Sequence, residues 1–379
     1  MGVRKRGKSW LVTVELGRDP VTGRRRRAHV TVATRREGER EEAKLRHEVA
    51  EGLDLEPTRI TVAEYLSRWL GTVRPNLAPA TYRRYEDLLR LHVMPYVGAV
   101  VLSKLRPLHV QQMYTRLQDG ISADGRSLAP RTRLHVHRAL STALAQAVRW
   151  QIISRNVCEA VDPPQAPRAE IEALRPEKAR RLLEVAEAEN SIWGDAVVLA
   201  LQTGLRQGEL LGLRWQDVDA ERSRLTVYQT LQYLPGEGMA FRQPKTNRSG
   251  RTIPLGTTAV EALSRVRRRQ LKKRLALGAA YKDLGLVFTT ALGTPIGANN
   301  LRRAFRRIVA RAEVGPLRFH DLRHAHATLL LARGVHPKVV SERLGHASIA
   351  ITLDTYSHVL PSLQEEATRD LDAWLAGRA

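Results

Sequence analysis

The feature that most constrains the fold is the way in which glycine and proline divide residues 318–358. The stretch opens with an apolar helical pattern, in which positions i, i+3, i+7 and i+8 are Leu322, Ala325, Leu329 and Leu330. Gly334 is placed to end that helix, Pro337 to open a second and Gly345 to end the second. Ser348 is placed to cap a third helix. The pattern predicts three short helices joined by tight turns.

Four side chains suited to phosphate chemistry fall within these helices and turns. His320 and Arg323 occupy the opening turn of the first helix, where unsatisfied N–H groups and the helix dipole favour an anion. Arg323 adds a planar fork of donors that matches phosphate oxygens. His346 begins the turn after the second helix, and the third helix carries Tyr356, whose phenol is the candidate nucleophile. The combination indicates a phosphate clamp beside a nucleophile.

Three other interpretations fit parts of the same segment. Tyr356 lies on the apolar stripe of its helix, where an aromatic side chain is more often part of a core. His320 and His324 are one helical turn apart, as metal ligands can be. However, the Glu of a zincin motif is absent and the chain has one cysteine, so no metal is predicted. Residues 338–356 also fit an ordinary helix-turn-helix.

Motifs upstream of this segment bear on the choice. Arg206 stands in the context TGLR with Glu209 three positions on, and Lys245 stands in the context PKT. They precede an H-x-x-R motif, an LGH motif and a tyrosine ten positions after the LGH histidine. Taken alone, Lys245 would be a solvated turn residue, and Glu209 would either orient Arg206 or be an ordinary acid at a helix N-terminus. Together the motifs resemble those of the tyrosine recombinase (phage integrase) family. The resemblance identifies the candidate catalytic residues as Arg206, Lys245, His320, Arg323, His346 and Tyr356.

The resemblance also implies a role for each of these residues. The two arginines would neutralise the non-bridging oxygens of a DNA phosphodiester, and His346 would donate a further hydrogen bond. His320 would accept the proton of Tyr356, and Lys245 would give a proton to the leaving 5′-oxygen. The product would be a 3′-phosphotyrosine, which conserves the bond energy, so neither ATP nor a metal nor another cofactor is expected. The absence of a P-loop motif agrees with this expectation.

The charge of the chain favours a polyanionic partner. Lys and Arg total 62 against 39 acidic residues, which gives a formal net charge of +23 and a pI near 10.9. No run of about 18 apolar residues occurs, and the N-terminus lacks the apolar core of a signal peptide, so we expect a soluble intracellular protein. The resemblance places it in the bacterial cytoplasm, associated with the nucleoid. The single Cys158 excludes an intrachain disulfide framework.

Proline-containing boundaries divide the 379 residues into three predicted domains. Residues 1–52 predict two strands and a charged helix with a basic face, which loosely resembles the family's arm-type DNA-binding module. Residues 58–161 predict four helices in a compact bundle, which resembles the core-binding domain. Residues 162–170 form an extended linker, and residues 171–379 form the catalytic domain. The predicted fold class is mainly α with small β elements, the catalytic domain being mixed α/β with a β-hairpin region.

Two further details of the predicted catalytic domain concern its strands and its arginine-rich helices. The first is a single strand over residues 224–233, followed by a second strand over 251–255, with Lys245 in the loop between them. The second is a pair of helices over residues 258–277 and 298–312, whose arginine-rich faces are candidates for lining DNA.

The resemblance implies double-stranded DNA as the partner, bound at core and arm-type attachment sites. It further implies a tetramer on two duplexes that integrates or excises a mobile element, together with accessory DNA-bending or directionality factors, and no membrane. The apolar stripe of residues 362–375 would dock on a neighbouring subunit or pack on its own domain. Two rival functions stay open. One is a type IB topoisomerase, which relaxes DNA as a monomer, and the other is a basic DNA-binding protein without enzymatic activity.

Overall fold

The computed structural model describes most of the chain, in the ranges 2–7, 9–18, 25–50, 60–120, 127–167, 174–234, 238–242, 250–356, 368–369, 371–373 and 375–377. The chain divides into two compact units, Met1–Ala169 and Glu170–Ala379. Lys245 and most of the predicted stripe at 362–375 lie outside the described residues. Within the described ranges, no helix combines the length and the apolar character that crossing a bilayer would need.

The first unit opens with a small sheet and one helix. Its elements are β1 (Gly2–Arg6), β2 (Ser9–Arg18), β3 (Arg25–Val32) and α1 (Arg35–Ala50). The strands are antiparallel in the order β1–β2–β3, and a core of Val12, Val14 and Leu45 joins the sheet to the helix. The sequence predicted β2, β3 and α1 but missed β1. That strand, GVRKR, has one apolar side chain and lacks the alternation that marks a half-buried strand.

The rest of the first unit is a helical bundle. Its helices are α2 (Val62–Val73), α3 (Pro79–His92), α4 (Met94–Val97), α5 (Pro107–Asp119) and α6 (Pro130–Arg149). Thr61 and Glu64 form a capping box at the start of α2, and prolines open α3, α5 and α6. In the core, the Tyr65 hydroxyl donates to the Ala143 carbonyl at 2.6 Å. The four predicted helices are confirmed, and the short α4 is an addition.

The second unit combines eight helices with two small sheets among the described residues. The helices are α7 (Pro176–Ala188), α8 (Ile192–Thr203), α9 (Gln207–Gly212), α10 (Thr257–Leu277), α11 (Ala298–Ala312), α12 (Asp321–Ala332), α13 (Pro337–Leu344) and α14 (Ile349–Tyr356). The strands are β4 (Val218–Asp219), β5 (Arg224–Val227), β6 (Thr230–Leu234), β7 (Gly238–Arg242) and β8 (Arg251–Pro254). The antiparallel sheets have the orders β4–β5–β8 and β6–β7.

Helix α8 is the centre of this unit. Its residues from Gly194 to Leu201 are all buried, and α7, α10, α11 and α12 pack around it. A helix that is apolar on nearly every side is stable in water only when other elements surround it. Ser191 caps its first turn and Gly204 closes its last, so both ends of α8 are fixed. The C-terminal end of this buried helix leads directly into the candidate site.

The strand predicted over residues 224–233 is wrong as a single element. The structure breaks it at Tyr228 and Gln229 into β5 and β6, which belong to different sheets. The Gln229 side chain donates to the Gly212 carbonyl at 2.7 Å, and β6 packs closely against α9. A Cβ atom on Gly212 would lie 2.9 Å from the Leu231 backbone nitrogen. The break therefore depends on a contact with a helix that is distant in the sequence. The alternation of apolar and polar residues along the strand carries no information about that contact.

Candidate active site

The turn at the end of α8 positions Arg206. Gly204 has a left-handed φ of +67°, and a Cβ atom there would lie 2.7 Å from Leu344 and 2.8 Å from His326. Only glycine meets both requirements. Two residues later the chain reaches Arg206, which is the N-terminal cap of α9. The guanidinium is therefore held at a junction between two helices, where the backbone fixes its direction.

Glu209 holds Arg206 in place from the first turn of α9. Its carboxylate is 3% exposed and accepts from the Arg206 backbone N–H at 2.9 Å and from Arg206 Nη1 at 2.7 Å. Arg251 at the start of β8 donates to both oxygens, at 3.1 and 2.8 Å. Burial alone raises the pKa of Glu209, but the hydrogen bonds and charges of Arg251 and Arg206 outweigh it and lower the pKa to about 2. Glu209 is therefore a permanent anion between two cations, and its predicted ion pair with Arg206 is present.

Arg323 is buried beneath the same turn. It is 3% exposed, and its Nη1 and Nη2 donate to the carbonyls of Gly204 and Leu344 at 2.8 and 2.6 Å. Burial and the charge of Arg206 lower the pKa of Arg323 to about 9, so the side chain is still a cation near pH 7. Two backbone turns, one after α8 and one after α13, are thereby joined through one guanidinium.

The two arginines converge on the turn that precedes His346. Arg206 Nη2 donates to the Gly345 carbonyl at 3.3 Å, next to the Leu344 carbonyl that Arg323 uses. Gly345 ends α13 in the left-handed region, as predicted, and brings His346 to the start of the next turn. Two guanidinium groups thus lie beside one imidazole.

His346 is held as a neutral ring. Its Nδ1 lies 2.8 Å from the hydroxyl of Thr352, which is fully buried on α14. Burial, with the charges of Arg323 and Arg206, lowers the pKa of His346 to about 4. A neutral imidazole that accepts at Nδ1 carries its proton on Nε2, and that N–H can be donated to a ligand.

Tyr356 ends α14 with its ring in the core. Its side chain is 1% exposed, and it packs with α12 and α13 in a cluster that contains Ala327, Leu331, Val340 and Leu344. The hydroxyl lies 2.8 Å from His324 Nδ1. Burial raises the pKa of Tyr356 to about 12, although the Arg323 charge acts in the opposite direction. The tyrosine is therefore a core aromatic and a polar site residue at once.

The imidazole that contacts the Tyr356 hydroxyl is that of His324 and not that of the predicted His320. The sequence assigned the phenolic proton to His320, whereas the structure places the hydroxyl against His324. The exposed His320 packs edge to face on the His324 ring, with 5.0 Å between centroids. Although the residue as a whole is exposed, partial desolvation of its ring and the charge of Arg323 lower the pKa of His320. One helical turn thus presents two imidazoles, of which the second contacts the candidate nucleophile.

Comparisons with known proteins identify the family of this chain. Residues 172–362 match the phage integrase family, and residues 61–118 match the N-terminal SAM-like domain of phage integrases. A relative from Caldanaerobacter subterraneus subsp. tengcongensis, named a XerC-like tyrosine recombinase, is 31% identical over 97% of this chain and 97% of its own length. The chain belongs to the phage integrase family.

Solved integrase structures share the fold of this family member. The Tn1549 transposon integrase, in complex with transposon right end DNA, is 24% identical with a TM-score of 0.68, covering 82% of this chain and 99% of that one. A lambda integrase, solved as a tetramer bound to a Holliday junction, is 19% identical with a TM-score of 0.55, covering 92% of this chain and 96% of that one. The mainly α fold with small β elements is confirmed.

The structure of this integrase family member brings together five of the six predicted site residues, Arg206, His320, Arg323, His346 and Tyr356. The sixth, Lys245, lies outside the described residues. No set of three or more His, Cys, Asp or Glu side chains within the described ranges is arranged to bind a metal ion.

The sequence missed two further arginines that support the site. Arg251 is 8% exposed and, besides holding Glu209, donates through Nε to the Arg343 carbonyl at 2.7 Å. Arg343 Nε in turn donates to His326 Nε2 at 3.0 Å. Strand periodicity carried a signal for Arg251, because it shares the inward face of β8 with the buried Ile253. A cation on an inward position requires a buried partner.

The arginine-rich faces of α10 and α11 differ in their contacts. On α10, Arg265 and Arg269 both pair with the buried Asp195 of α8, and Arg267 lies over the Trp215 ring at 4.8 Å. The ion pairs of Arg265 and Arg269 serve the internal packing of the unit, which corrects their assignment as candidates for lining DNA, whereas Arg267 and Arg268 are exposed and stay candidates. On α11, the apolar face is buried and the opposite face exposes Arg302, Arg303, Arg306 and Arg307.

Proposed function

We propose that this integrase family member is a site-specific DNA recombinase that integrates or excises a mobile element. The observation that carries the proposal is the convergence of Arg206 and Arg323 on the Leu344–Gly345 turn, beside a neutral His346 and in the same unit as Tyr356. Two fixed guanidinium groups and a hydrogen-bond donor match the oxygens of one phosphodiester.

The cations would act where charge accumulates. Attack on a phosphodiester passes through a state with more negative charge on the non-bridging oxygens, so donors that are already in position stabilise it without reorganising. Arg206 and Arg323 would contact these oxygens, with Nε2–H of His346 as a third donor. Preorganised donors of this kind are worth about 10²–10³ each in rate. The buried Glu209 and Arg251 would hold Arg206 in its working direction.

Tyr356 would be the nucleophile. Its oxygen would bond to phosphorus while the bond to the 5′-oxygen breaks, which leaves a 3′-phosphotyrosine and a free 5′-hydroxyl. Lys245 is the proposed donor of the proton that the 5′-oxygen takes up. The covalent ester conserves the energy of the broken bond, so a second 5′-hydroxyl would reseal the strand without ATP, metal or cofactor.

The proposal assigns the rest of the chain to DNA and to assembly. The net charge of +23 and the exposed arginines of α11 support a duplex as the partner. Residues 1–52 would bind arm-type sites and residues 58–161 core sites, with residues 162–170 as the linker to the catalytic domain of residues 171–379. By likeness to the lambda integrase tetramer, four copies would assemble on two duplexes, with accessory bending or directionality factors, in the bacterial cytoplasm at the nucleoid.

A trapping assay tests the proposed chemistry. The intact chain is mixed with a nicked suicide duplex that carries the ends of the element, and products are separated on a denaturing gel with and without EDTA. We expect a covalent protein–DNA band that EDTA leaves unchanged and that is lost in Tyr356→Phe. Tight, salt-sensitive DNA binding without such a band would contradict the proposal.

Paired attachment sites extend the test to the rival functions. Recombinant products support a recombinase, whereas relaxation of supercoiled DNA without recombinant products would indicate a topoisomerase.

A further inference from the structure

The hydrogen bond between Tyr356 and His324 joins the candidate nucleophile to a base outside the predicted catalytic set. The hydroxyl and Nδ1 are 2.8 Å apart, and the rings are tilted with centroids 5.8 Å apart. His324 lies on α12, one residue after Arg323, and Tyr356 is the last residue of α14. The packing of these two helices therefore sets the contact.

We infer that His324 is a catalytic residue, whose Nδ1 accepts the phenolic proton as Tyr356 attacks the phosphodiester. The inference rests on the proposed function and deepens it. Three observations on the contact support it: the 2.8 Å distance, the burial of the tyrosine, and the position of His324 directly beside a clamp arginine. His320, the acceptor that the sequence predicted, contacts the His324 ring instead.

The step balances in protons and bonds. The oxygen–phosphorus bond to Tyr356 forms, the bond from phosphorus to the 5′-oxygen breaks, and the phenolic proton moves to Nδ1 of His324. The neutral ring carries its own proton on Nε2 beforehand, so His324 becomes an imidazolium. Lys245, as proposed above, supplies the proton of the 5′-hydroxyl. In resealing, each proton returns along the same path.

The electrostatics of the contact fit an acceptor. Burial and the neighbouring His320 lower the pKa of His324 to about 4, so its Nδ1 lone pair is available near pH 7. Asp321, Arg323 and Arg318 also act on this ring, the first raising its pKa and the two arginines lowering it. A bound phosphodiester adds negative charge that raises the basicity of the ring. The phenol becomes more acidic as its oxygen bonds to phosphorus, so transfer accompanies attack.

The experiment compares variants in single-turnover cleavage of the suicide duplex. His324→Asn keeps an oxygen near the position of Nδ1 but cannot take up a proton, whereas His324→Ala removes the acceptor altogether. His320→Asn tests the rival acceptor. The matched control is His336→Asn, because the exposed His336 side chain caps α13 and asparagine is also a good N-cap.

We expect His324→Asn to form covalent product about 10²–10³ times more slowly than the wild type, with unchanged DNA affinity. Its rate should rise about tenfold per pH unit between pH 7 and 9, because the phenol must then ionise before it attacks. The wild-type rate should change little over this range. Added imidazole should restore part of the activity of His324→Ala, and His336→Asn should match the wild type.

Several outcomes would overturn the inference. One is a His324→Asn rate within about threefold of the wild type, which is far below the 10² expected of a lost proton acceptor. Another is a slow variant with the wild-type pH profile and no response of His324→Ala to imidazole, which would make His324 a packing residue. A loss confined to His320→Asn would return the role to His320. A wild-type chain that forms no Tyr356-dependent band overturns the proposed function itself, so the two failures are distinct.

Discussion

Single side chains in this site serve the fold and the proposed chemistry together. Glu209 is the clearest case, because its carboxylate accepts from Arg206 and Arg251 while it is almost entirely buried. A buried ion pair adds little net stability over an apolar pair, but removing one partner leaves an uncompensated charge. The value of Glu209 therefore lies in fixing two cations rather than in strengthening the core.

Glu209→Gln tests this view. The variant keeps the size of the side chain but removes the buried negative charge that Arg206 and Arg251 share, so we expect the free energy of unfolding to fall by about 3–5 kcal/mol. Urea unfolding of the chain measures the change, and cleavage of the suicide duplex should slow because Arg206 loses its anchor.

The control for this substitution is Glu184→Gln on the exposed side of α7, which should stay within about 0.5 kcal/mol of the wild type. Equal stability for Glu209→Gln and the wild type would mean that the carboxylate is dispensable.

For single residues, the sequence did not predict which side chains would contact each other in the site. His320 and His324 stand one turn apart on the same helix, and local sequence does not distinguish which of them faces Tyr356. That choice depends on how α14 packs against α12, a contact between segments more than thirty residues apart. Arg251 was missed for a related reason, since its partner Glu209 is 42 residues away.

At the scale of elements, proline and glycine made the helices predictable. Pro337 and Gly345 mark helix ends in the sequence, and the structure has helix ends at both. Such signals act through neighbouring backbone atoms and need no tertiary contact. The break between β5 and β6 and the existence of β1 were not predictable, because each depends on packing against another element.

Gly345→Ala tests the turn on which the arginines converge. Gly345 has φ of +66°, and a Cβ atom there would lie 3.0 Å from the Arg251 guanidinium. Alanine disfavours the left-handed conformation, so we expect the free energy of unfolding to fall by about 1–2 kcal/mol. We also expect the added Cβ atom to displace Arg251. Cleavage of the suicide duplex should therefore slow as well.

Gly334→Ala is the matched control. Gly334 also has a positive φ, of +74°, but a Cβ atom there would meet nothing within 4 Å. The Gly334→Ala variant should lose only the stability that the left-handed conformation costs alanine, about 1 kcal/mol of the free energy of unfolding, and should keep its cleavage rate. Thermal unfolding and single-turnover cleavage compare the two, and equal effects on both measurements would contradict a special role for the Gly345 turn.

At the scale of the whole molecule, six histidines among the described residues have a lowered pKa, so we expect the stability to depend on pH. The pKa is lowered, chiefly by burial, for His135, His137, His320, His324, His326 and His346. In the unfolded chain these groups have a pKa near 6.5. Between that value and the folded pKa, about 4 for His324, His326 and His346, the unfolded chain binds more protons. The free energy of unfolding must therefore fall as the pH falls.

We expect the urea midpoint to decrease steadily from pH 7 to pH 5. His324, His326 and His346, which stay neutral in the folded chain, each contribute at most about 1.4 kcal/mol per pH unit between about pH 6.5 and their folded pKa. Staying above pH 5 keeps most carboxylates ionised, so the histidines dominate the trend. A midpoint that is constant or rises on acidification would contradict the assignment of these rings as neutral.

The two hydrogen bonds of Arg323 to the carbonyls of Gly204 and Leu344 affect which residues a related protein would retain during evolution. A lineage that abandons strand cleavage is still selected to fold, and folding alone is enough to retain this arginine. The presence of this arginine in a related chain therefore indicates a shared fold and does not by itself indicate that the chain still cleaves DNA. The hydroxyl of Tyr356 contacts His324 rather than these carbonyls, so the loss of this hydroxyl is the change by which an inactive descendant should first diverge.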